Sequence, residues 1–145
     1  MEIETVYQLI LAIILGALIG LEREYKGKGA GLQTYSLVAL GTCLFTIVSF
    51  ELFDFFSVKS GISFDPSRII QAVAIGIGFI GAGVIFRQAS GVVGLTTAAG
   101  LWTTAAIGVA VGVRFYFLAL VTTLGAILIL AGFGLLEEKI FKGKK

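Results

Sequence analysis

The chain has 145 residues, of which 57% are hydrophobic and 14% are charged, and its formal net charge is +2. Soluble domains usually carry about 25% charged residues, so this composition indicates a protein whose main solvent is the lipid bilayer. The small net charge, without a basic patch that has interleaved aromatics, predicts no nucleic-acid binding. The chain lacks histidine and has one cysteine, Cys43, which excludes imidazole bases, intrachain disulfides and multi-cysteine metal sites.

Uncharged stretches predict five transmembrane helices, so we expect an all-α, polytopic integral membrane protein that forms one domain over residues 1–145. The predicted spans are 5–21, 30–50, 68–86, 95–113 and 115–136. About 17 to 25 helical residues cross the hydrocarbon core. Helices satisfy their own backbone hydrogen bonds in lipid, and the alternating pattern of a transmembrane β-barrel is absent.

The basic residues of the connections predict the orientation of the chain. Five spans put the termini on opposite sides of the membrane. The side that holds the first and third connections and the C-terminal tail carries eight Lys and Arg residues, whereas the other side carries three. Because cytoplasmic loops carry the excess of positive charge, we expect the N-terminus outside and the C-terminus in the cytoplasm.

The second connection, residues 51–67, is the longest predicted loop and lies on the outer side. Its first part, ELFDFFSVK, is aromatic and amphipathic, which predicts a short interfacial helix. Its last part, FDPSR, is typical of a helix start. We expect Asp65 at the N-cap, Pro66 at the first helical position and Arg68 one turn into the third helix.

Residues 76–83 read GIGFIGAG and contain the G-x-G-x-x-G spacing of dinucleotide-binding loops. No strand precedes this motif and no helix begins after it, so the context argues against a nucleotide site. Ala74, Gly78 and Ala82 instead repeat at every fourth residue, a pattern typical of close packing between membrane helices. The glycines that we predict to pack helices are Gly16, Gly20, Gly76, Gly78, Gly81, Gly83, Gly100, Gly108 and Gly112.

Charged residues lie only at the ends of the predicted spans. An ionisable residue within a span is a functional candidate. The residues that come nearest to this condition lie at two span ends, the end of the first span and the start of the third. These candidates are Glu22, Arg23, Glu24, Asp65 and Arg68. The predicted topology places Arg23 and Arg68 on opposite sides of the membrane. The alternative is that the first three mark a helix boundary and that Asp65 and Arg68 are a cap and its partner.

Threonines at the start of the fourth predicted helix form a second group of candidates, namely Thr96, Thr97 and Thr104. The preceding SGVVG is predicted as a loop whose backbone would be unwound at membrane depth. Such backbone is tolerated only against protein or water, and it would suit an ion or a small polar ligand. The alternative is that these hydroxyls bond the carbonyls of their own helix.

The carboxylates argue against a dedicated magnesium site inside the membrane. Mg²⁺ prefers oxygen ligands and usually one or two carboxylates, but every Asp and Glu lies near one of the two surfaces. Metal ligands therefore cannot be assigned from the sequence. The chain also has no nucleophile–base pair, phosphate loop or haem motif, so we expect neither an enzyme nor a bound cofactor.

Three stretches together resemble the membrane domain of the MgtC/SapB family. They are GALIGLEREYKGKGAGLQTYSLVALG (16–41), RIIQAVAIGIGFIGAGVIF (68–86) and VVGLTTAAGLWTTAAIGVAVG (92–112). The resemblance implies about five spans in the bacterial inner membrane and a role in growth at low Mg²⁺ and, in pathogens, in survival within host cells. It places Glu22, Arg23, Glu24, Arg68 and the run 76–83 at motif positions of the family.

The resemblance leaves two functional interpretations. The family was named as a Mg²⁺ transporter, but some members look like regulators that bind other membrane machinery, including ATP synthase and transporters of Mg²⁺ or phosphate. We favour a regulator that acts through helix packing. The alternative is a transporter or channel for Mg²⁺ or another small solute, with Arg68 at its entrance. The expected partners are the lipid bilayer, a second copy in a homodimer and, for a regulator, another membrane protein complex.

Two departures from the family pattern limit what the resemblance implies. Virulence-type members carry a soluble ACT-like domain after the membrane domain, whereas this sequence ends at KIFKGKK. We expect regulation through such a domain to be absent or to lie elsewhere. Some members also have a cysteine where this chain reads TTAAIG (103–108), so a thiol-dependent role is not expected at that position.

Overall fold

The computed structural model describes residues 2–57, 65, 67–89 and 91–141, and most of these residues are helical. The helices are α1 (Glu2–Tyr25), α2 (Leu32–Ser57), α3 (Ser67–Gly83), α4 (Leu95–Gly112) and α5 (Tyr116–Ile127). The last helix continues through a π-helical turn (Leu128–Phe133) into α6 (Gly134–Phe141). Two short strands, β1 (Phe86–Gln88) and β2 (Gly91–Val93), form an antiparallel hairpin between α3 and α4.

The lengths and composition of these helices confirm a multi-pass, all-α membrane protein. Within the described residues, four helical segments are long and apolar enough to cross a membrane: α1, α2, α4 and Tyr116–Phe133. The fifth, α3, is apolar but has 17 residues. At about 1.5 Å per residue it is slightly shorter than the hydrocarbon core of about 30 Å. The side of the membrane on which each terminus lies stays a prediction.

Two connections differ from the expectations. The second helix runs without a break through residue 57, so ELFDFFS extends α2 and does not form a separate interfacial helix. No Gly or Pro interrupts this stretch, and residues 58–64 lie outside the described part. The predicted loop before α4 is the β1–β2 hairpin. Strand pairing satisfies backbone groups that an unwound loop would leave without partners.

The start of α3 agrees with the predicted cap. The Asp65 carboxylate accepts hydrogen bonds from the backbone N–H of Ser67 at 2.9 Å and from its hydroxyl at 2.7 Å. A carboxylate at this position satisfies one of the N–H groups that the first helical turn leaves without an intrahelical acceptor. Pro66, predicted at the first helical position, lies outside the described residues.

Glycines bring the backbones of α1, α2 and α4 into close contact. A Cβ atom on Gly16 would lie 2.6 Å from the Tyr35 carbonyl oxygen, and one on Gly112 would lie 2.6 Å from the Cβ of Thr46. Neither position leaves room for a side chain. The small residues therefore set the distance of α2 from both α1 and α4, as expected for helices that pack in lipid.

The third helix lies at the edge of this bundle. Whereas α4 packs against α1, α2, α3 and α5, α3 buries only Ile77 and Gly81. Gly81 makes an ordinary contact with α4, because its Cβ would lie 3.5 Å from the Cβ of Ala98. At Gly76, Gly78 and Gly83, a Cβ would meet no atom within 4 Å among the residues that the structure describes. Within the described part of the chain, these three predicted packing glycines do not pack against another helix.

Candidate functional site

The candidate residues divide between the two ends of the bundle. The end of α1 and the start of α4 lie together and bring Arg23 close to Thr96 and Thr97. Asp65 and Arg68 lie at the start of α3, whose other end is joined by the short hairpin to the start of α4. Arg23 and Arg68 therefore lie at opposite ends, as the predicted topology requires.

Arg23 is a charged side chain with almost no exposure to solvent or lipid, at 3%. One guanidinium nitrogen, Nη1, lies 3.5 Å from Oε2 of Glu22. Its Nε has no hydrogen-bond partner among the described residues. Buried guanidinium groups usually have acceptors for most of their five N–H donors, since burial without them is costly. Arg23 therefore has unused donor capacity.

Lys26 ties the end of α1 to the π-helical turn. Its Nζ donates a hydrogen bond of 2.7 Å to the carbonyl oxygen of Leu130. The same Nζ lies 2.9 Å from Oε1 of Glu22 in an ion pair that lacks hydrogen-bond geometry. A π-helical turn shifts the regular pattern of backbone hydrogen bonds, and such turns are frequent at functional sites. The contact fixes the last helix beside Arg23.

Glu24 has a structural role in the connection that follows. Its Oε2 accepts a hydrogen bond of 3.1 Å from the backbone N–H of Leu32, the first residue of α2. The chain turns back at Gly27, whose φ of +62° is a left-handed conformation that favours glycine. A carboxylate at a helix N-terminus satisfies a free N–H and complements the helix dipole. Glu24 thus holds the start of α2 in place.

These elements enclose a cavity of about 610 Å³, which we name the basic cavity. Three cationic side chains line it, together with the start of α4, residues of β2 and the π-helical turn. The lining residues are Arg23, Lys26, Lys28, Val92, Val93, Gly94, Leu95, Thr96, Thr97, Ile129, Leu130, Phe133 and Gly134. No carboxylate is among these described side chains, so the walls that the structure describes favour a ligand of negative charge.

The threonine candidates do not act as one group. Thr96 is exposed and Thr97 is buried, and both line the basic cavity. The Thr97 carbonyl accepts a hydrogen bond of 3.2 Å from the hydroxyl of the buried Tyr35. Thr104 lies deeper and donates to the Gly100 carbonyl of its own helix at 2.9 Å. The alternative interpretation, that the hydroxyl bonds a carbonyl of its own helix, is therefore confirmed for Thr104.

At the opposite end, the buried side chain of Gln8 was not among the sequence candidates. Its amide nitrogen donates to the carbonyl oxygens of Val111 and Gly112, each at 2.9 Å, and so binds the last turn of α4. Glu4 and Arg114 form an ion pair of 3.0 Å nearby. The available signal was an isolated amide within an uncharged span, because such a polar group needs a partner inside the bundle.

The candidates at the start of α3, Asp65 and Arg68, do not line the basic cavity. Arg68 is exposed, and its charge adds to the hydrogen bonds of Ser67, the larger cause, in holding the pKa of Asp65 below its ordinary value. No group of three or more Cys, Asp and Glu side chains that could hold a metal ion occurs in the part of the chain that the structure describes. Asp65 therefore caps α3, and a functional role for the exposed Arg68 stays a prediction.

An apolar groove of about 830 Å³ separates α3 from α2. Apolar side chains line it almost throughout, including Leu37, Phe45, Ile69 and Ile80, and Gly76 forms part of its wall. On the other flank of α3, the stripe of Ala74, Gly78 and Ala82 is exposed. We name these two flanks together the α3 face.

Comparison with known proteins identifies relatives over nearly the whole chain. The family model described as "MgtC family" matches residues 9–139. The Escherichia coli (strain K12) protein named "Putative magnesium transporter YhiD" is 45% identical over 134 residues, which cover 92% of this chain and 62% of that protein. Protein SrpB of Synechococcus elongatus is 41% identical over 144 residues, which cover 91% of this chain and 76% of SrpB.

A third relative shows how much of the longer proteins is matched. Protein MgtC of Brucella abortus (strain 2308) is 44% identical over 112 residues, which cover 77% of this chain and 44% of that protein. The chain thus spans less than two thirds of YhiD and less than half of this MgtC. No solved structure matches the chain.

Proposed function

Because the chain belongs to the MgtC family, we propose that it is a bacterial inner-membrane protein of magnesium homeostasis that regulates another membrane protein complex by helix packing. The magnesium link is supported by the name of its relative YhiD. The inner membrane is supported by the bacterial origin of the relatives and by the excess of Lys and Arg on the predicted cytoplasmic side.

The observation that carries the regulatory role is the difference between packed and unpacked glycines. Gly16 and Gly112 pack directly against α2, so that a Cβ atom there would collide with it. At Gly76 and Gly78, a Cβ atom would meet no described atom within 4 Å. Small residues at every fourth position let another helix approach closely. A helix that exposes such a stripe beside an apolar groove offers a docking surface to a transmembrane helix of a partner.

A partner helix suits this surface because both flanks of α3 are apolar and no described residue of this chain covers them. Association of helices in lipid is driven by van der Waals packing, since burial from water is already complete. The flat Ala74–Gly78–Ala82 stripe supplies that contact on one flank, and the exposed Phe79 lines the groove on the other. The predicted homodimer would use the same surface, so a second copy of the chain is the competing occupant.

Transport of Mg²⁺ has less support from the geometry. The basic cavity carries three cationic side chains, which would repel a divalent cation. Between the two ends, the core is packed with buried apolar side chains such as Ala39, Leu101 and Ile107. Several hydroxyls in this region bond carbonyls of their own helices, as Thr46 does. These features favour a regulator over a cation pathway.

Growth of a deletion strain at limiting Mg²⁺, complemented by variants of this protein, tests the proposal. Gly78→Leu fills the stripe of α3, and we expect it to lose complementation because the partner helix can no longer approach. Gly125→Leu is the matched control, since a Cβ at Gly125 also meets no described atom within 4 Å but lies on α5. Both variants must reach the membrane in wild-type amounts. Full growth with Gly78→Leu would refute docking through this stripe.

A flux measurement addresses the transporter alternative. The purified protein is placed in proteoliposomes that contain a trapped Mg²⁺ indicator, with Arg68→Ala as the second sample. A regulator gives the same trace as empty liposomes. Flux above that level, lost in Arg68→Ala, would overturn the regulatory role in favour of transport.

A further inference from the structure

We propose that the basic cavity binds a phosphate group, carried either by free phosphate or by the headgroup of an anionic phospholipid. This site lies at the end of the bundle where α1 ends and α4 begins. The proposal does not depend on the docking of α3, because the α3 face and the basic cavity share no lining residue.

The charges around the cavity favour an anion. Arg23, Lys26 and Lys28 line the walls, and Glu22 is the carboxylate that pairs with the first two from outside the lining. Among the side chains that the structure describes here, three cations with one carboxylate leave a positive charge. Arginine offers a planar set of donors that matches phosphate oxygens, and lysine binds phosphate as a compact charge.

Arg23 gives separate evidence for a ligand, because its charged side chain is buried and weakly paired. Its side chain is 3% exposed, lines the cavity, and leaves Nε without an acceptor within the described chain. Leaving a buried charged donor without a hydrogen bond destabilises a protein, and Glu22 at 3.5 Å is a weak compensation. Because Arg23 lines the cavity, oxygen atoms of a bound anion there would give its guanidinium group an acceptor besides Glu22.

The start of α4 adds a second, independent set of donors. Its N-cap is Gly94, with φ of 92° and without a side-chain cap. The N–H groups of a first helical turn have no intrahelical acceptors, and the helix dipole makes this end favourable for negative charge. Anions are bound at helix N-termini for these two reasons. Thr96, which follows in the first turn, also lines the cavity.

The size and walls of the cavity decide which phosphate compounds fit. At about 610 Å³ it is far larger than a phosphate ion, and its remaining walls are apolar residues such as Val92, Ile129 and Phe133. A ligand with a phosphate and an adjoining apolar part would use both kinds of wall. A free phosphate would use only the basic wall, so the two sources can be distinguished by measurement.

The test uses the purified chain in nanodiscs of phosphatidylcholine and in mild detergent. In the first arm, inorganic phosphate is titrated into the nanodiscs and binding is measured by calorimetry. In the second arm, phosphatidylglycerol is added in detergent, and retained lipid is counted by native mass spectrometry. The variants are Arg23→Gln and Lys28→Gln, with Lys139→Gln as the control, because Lys139 is exposed on α6 and does not line the cavity.

We expect wild type and Lys139→Gln to bind equally in at least one arm. Arg23→Gln should bind about tenfold more weakly, since it removes a buried charge-assisted donor. Lys28→Gln should bind about threefold more weakly, since an exposed charge contributes less. Binding in the first arm alone identifies free phosphate, binding in the second alone identifies a lipid headgroup, and binding in both identifies the shared group.

Two results would overturn the proposal. One is that folded wild-type protein binds neither inorganic phosphate nor phosphatidylglycerol. The other is that Lys139→Gln weakens binding as much as Lys28→Gln does, since a general surface charge would then explain the effect. If Arg23→Gln fails to fold, the comparison of Lys28→Gln with Lys139→Gln gives the answer alone, because both replace exposed side chains.

Discussion

Glycine has different roles in two regions of the molecule. In the core formed by α1, α2 and α4 it allows close helix packing, whereas in the peripheral helix α3 it leaves an open surface. Gly108 in α4 faces the carbonyl of Ala39 and the hydroxyl of Thr42 in α2, so that even a methyl group would collide there. Gly78 in α3 has no described atom within 4 Å of its Cβ position. A stripe of small residues therefore marks a helix surface that another helix can approach closely. Only the fold shows whether a helix of this chain already packs there.

The largest expected difference between the two regions comes from adding one methyl group to each. Gly108→Ala should lower the free energy of unfolding by about 1–3 kcal/mol, because α2 and α4 must separate to admit the new Cβ. Gly78→Ala should change it by no more than about 0.5 kcal/mol. Denaturant unfolding of both variants in the same detergent measures the difference. Equal losses would mean that α3 is packed as tightly as the core.

A second comparison replaces one amide in each region with leucine. Gln8→Leu removes both hydrogen bonds to the end of α4 and should lower the free energy of unfolding by about 1–2 kcal/mol. Gln71→Leu replaces an exposed side chain on α3 and should have an effect of no more than about 0.5 kcal/mol. The same unfolding measurement applies. If Gln71→Leu were the more damaging change, α3 would hold a polar contact that this account omits.

The smallest expected effect is local and concerns the start of α3. The pKa of Asp65 is held below the ordinary value of 3.8, chiefly by the hydrogen bonds from Ser67. A lowered pKa stabilises the folded state above the ordinary value, and this contribution is lost as the pH falls through the folded-state value. Hydrogen exchange should therefore show protection of the Ser67 N–H at neutral pH that is lost in acid. In Asp65→Ala this protection should be absent at both pH values, and a persistent pH dependence there would contradict the assignment.

Much of the fold follows from the sequence because lipid imposes a simple rule on helices. Each membrane helix needs an uncharged run of sufficient length, and these runs locate the helices to within a few residues. The end of α2 and the hairpin were missed for a local reason. An aromatic, amphipathic stretch can either extend a helix or lie at the interface, and three-residue strands leave almost no pattern.

The candidate site was predictable only in part because it is assembled from distant segments. Arg23 was a candidate as a motif residue at a helix end, but the sequence does not show that it lines one cavity with Leu130 of the π-helical turn. Lys26 contacts that turn across 104 residues of sequence. The sequence likewise did not predict that α3 lies at the edge of the bundle, because Gly78 and Gly108 belong to the same pattern of small residues at every fourth position. Periodicity describes the surface of one helix and not the position of its neighbours.

Photochemical crosslinking in native membranes tests the central claim, that the α3 face binds a partner helix. The photoreactive amino acid p-benzoylphenylalanine replaces Phe79 on α3 or, as a matched control, Phe117 on α5, since both side chains are more than three quarters exposed, at 85% and 80%. We predict that position 79 gives a crosslinked band that contains a second, different protein and that position 117 gives none. A band that contains two copies of this chain would instead identify the homodimer. If position 79 yields no protein crosslink, or if both positions give the same bands, the α3 face is a lipid-facing surface and the regulatory proposal fails.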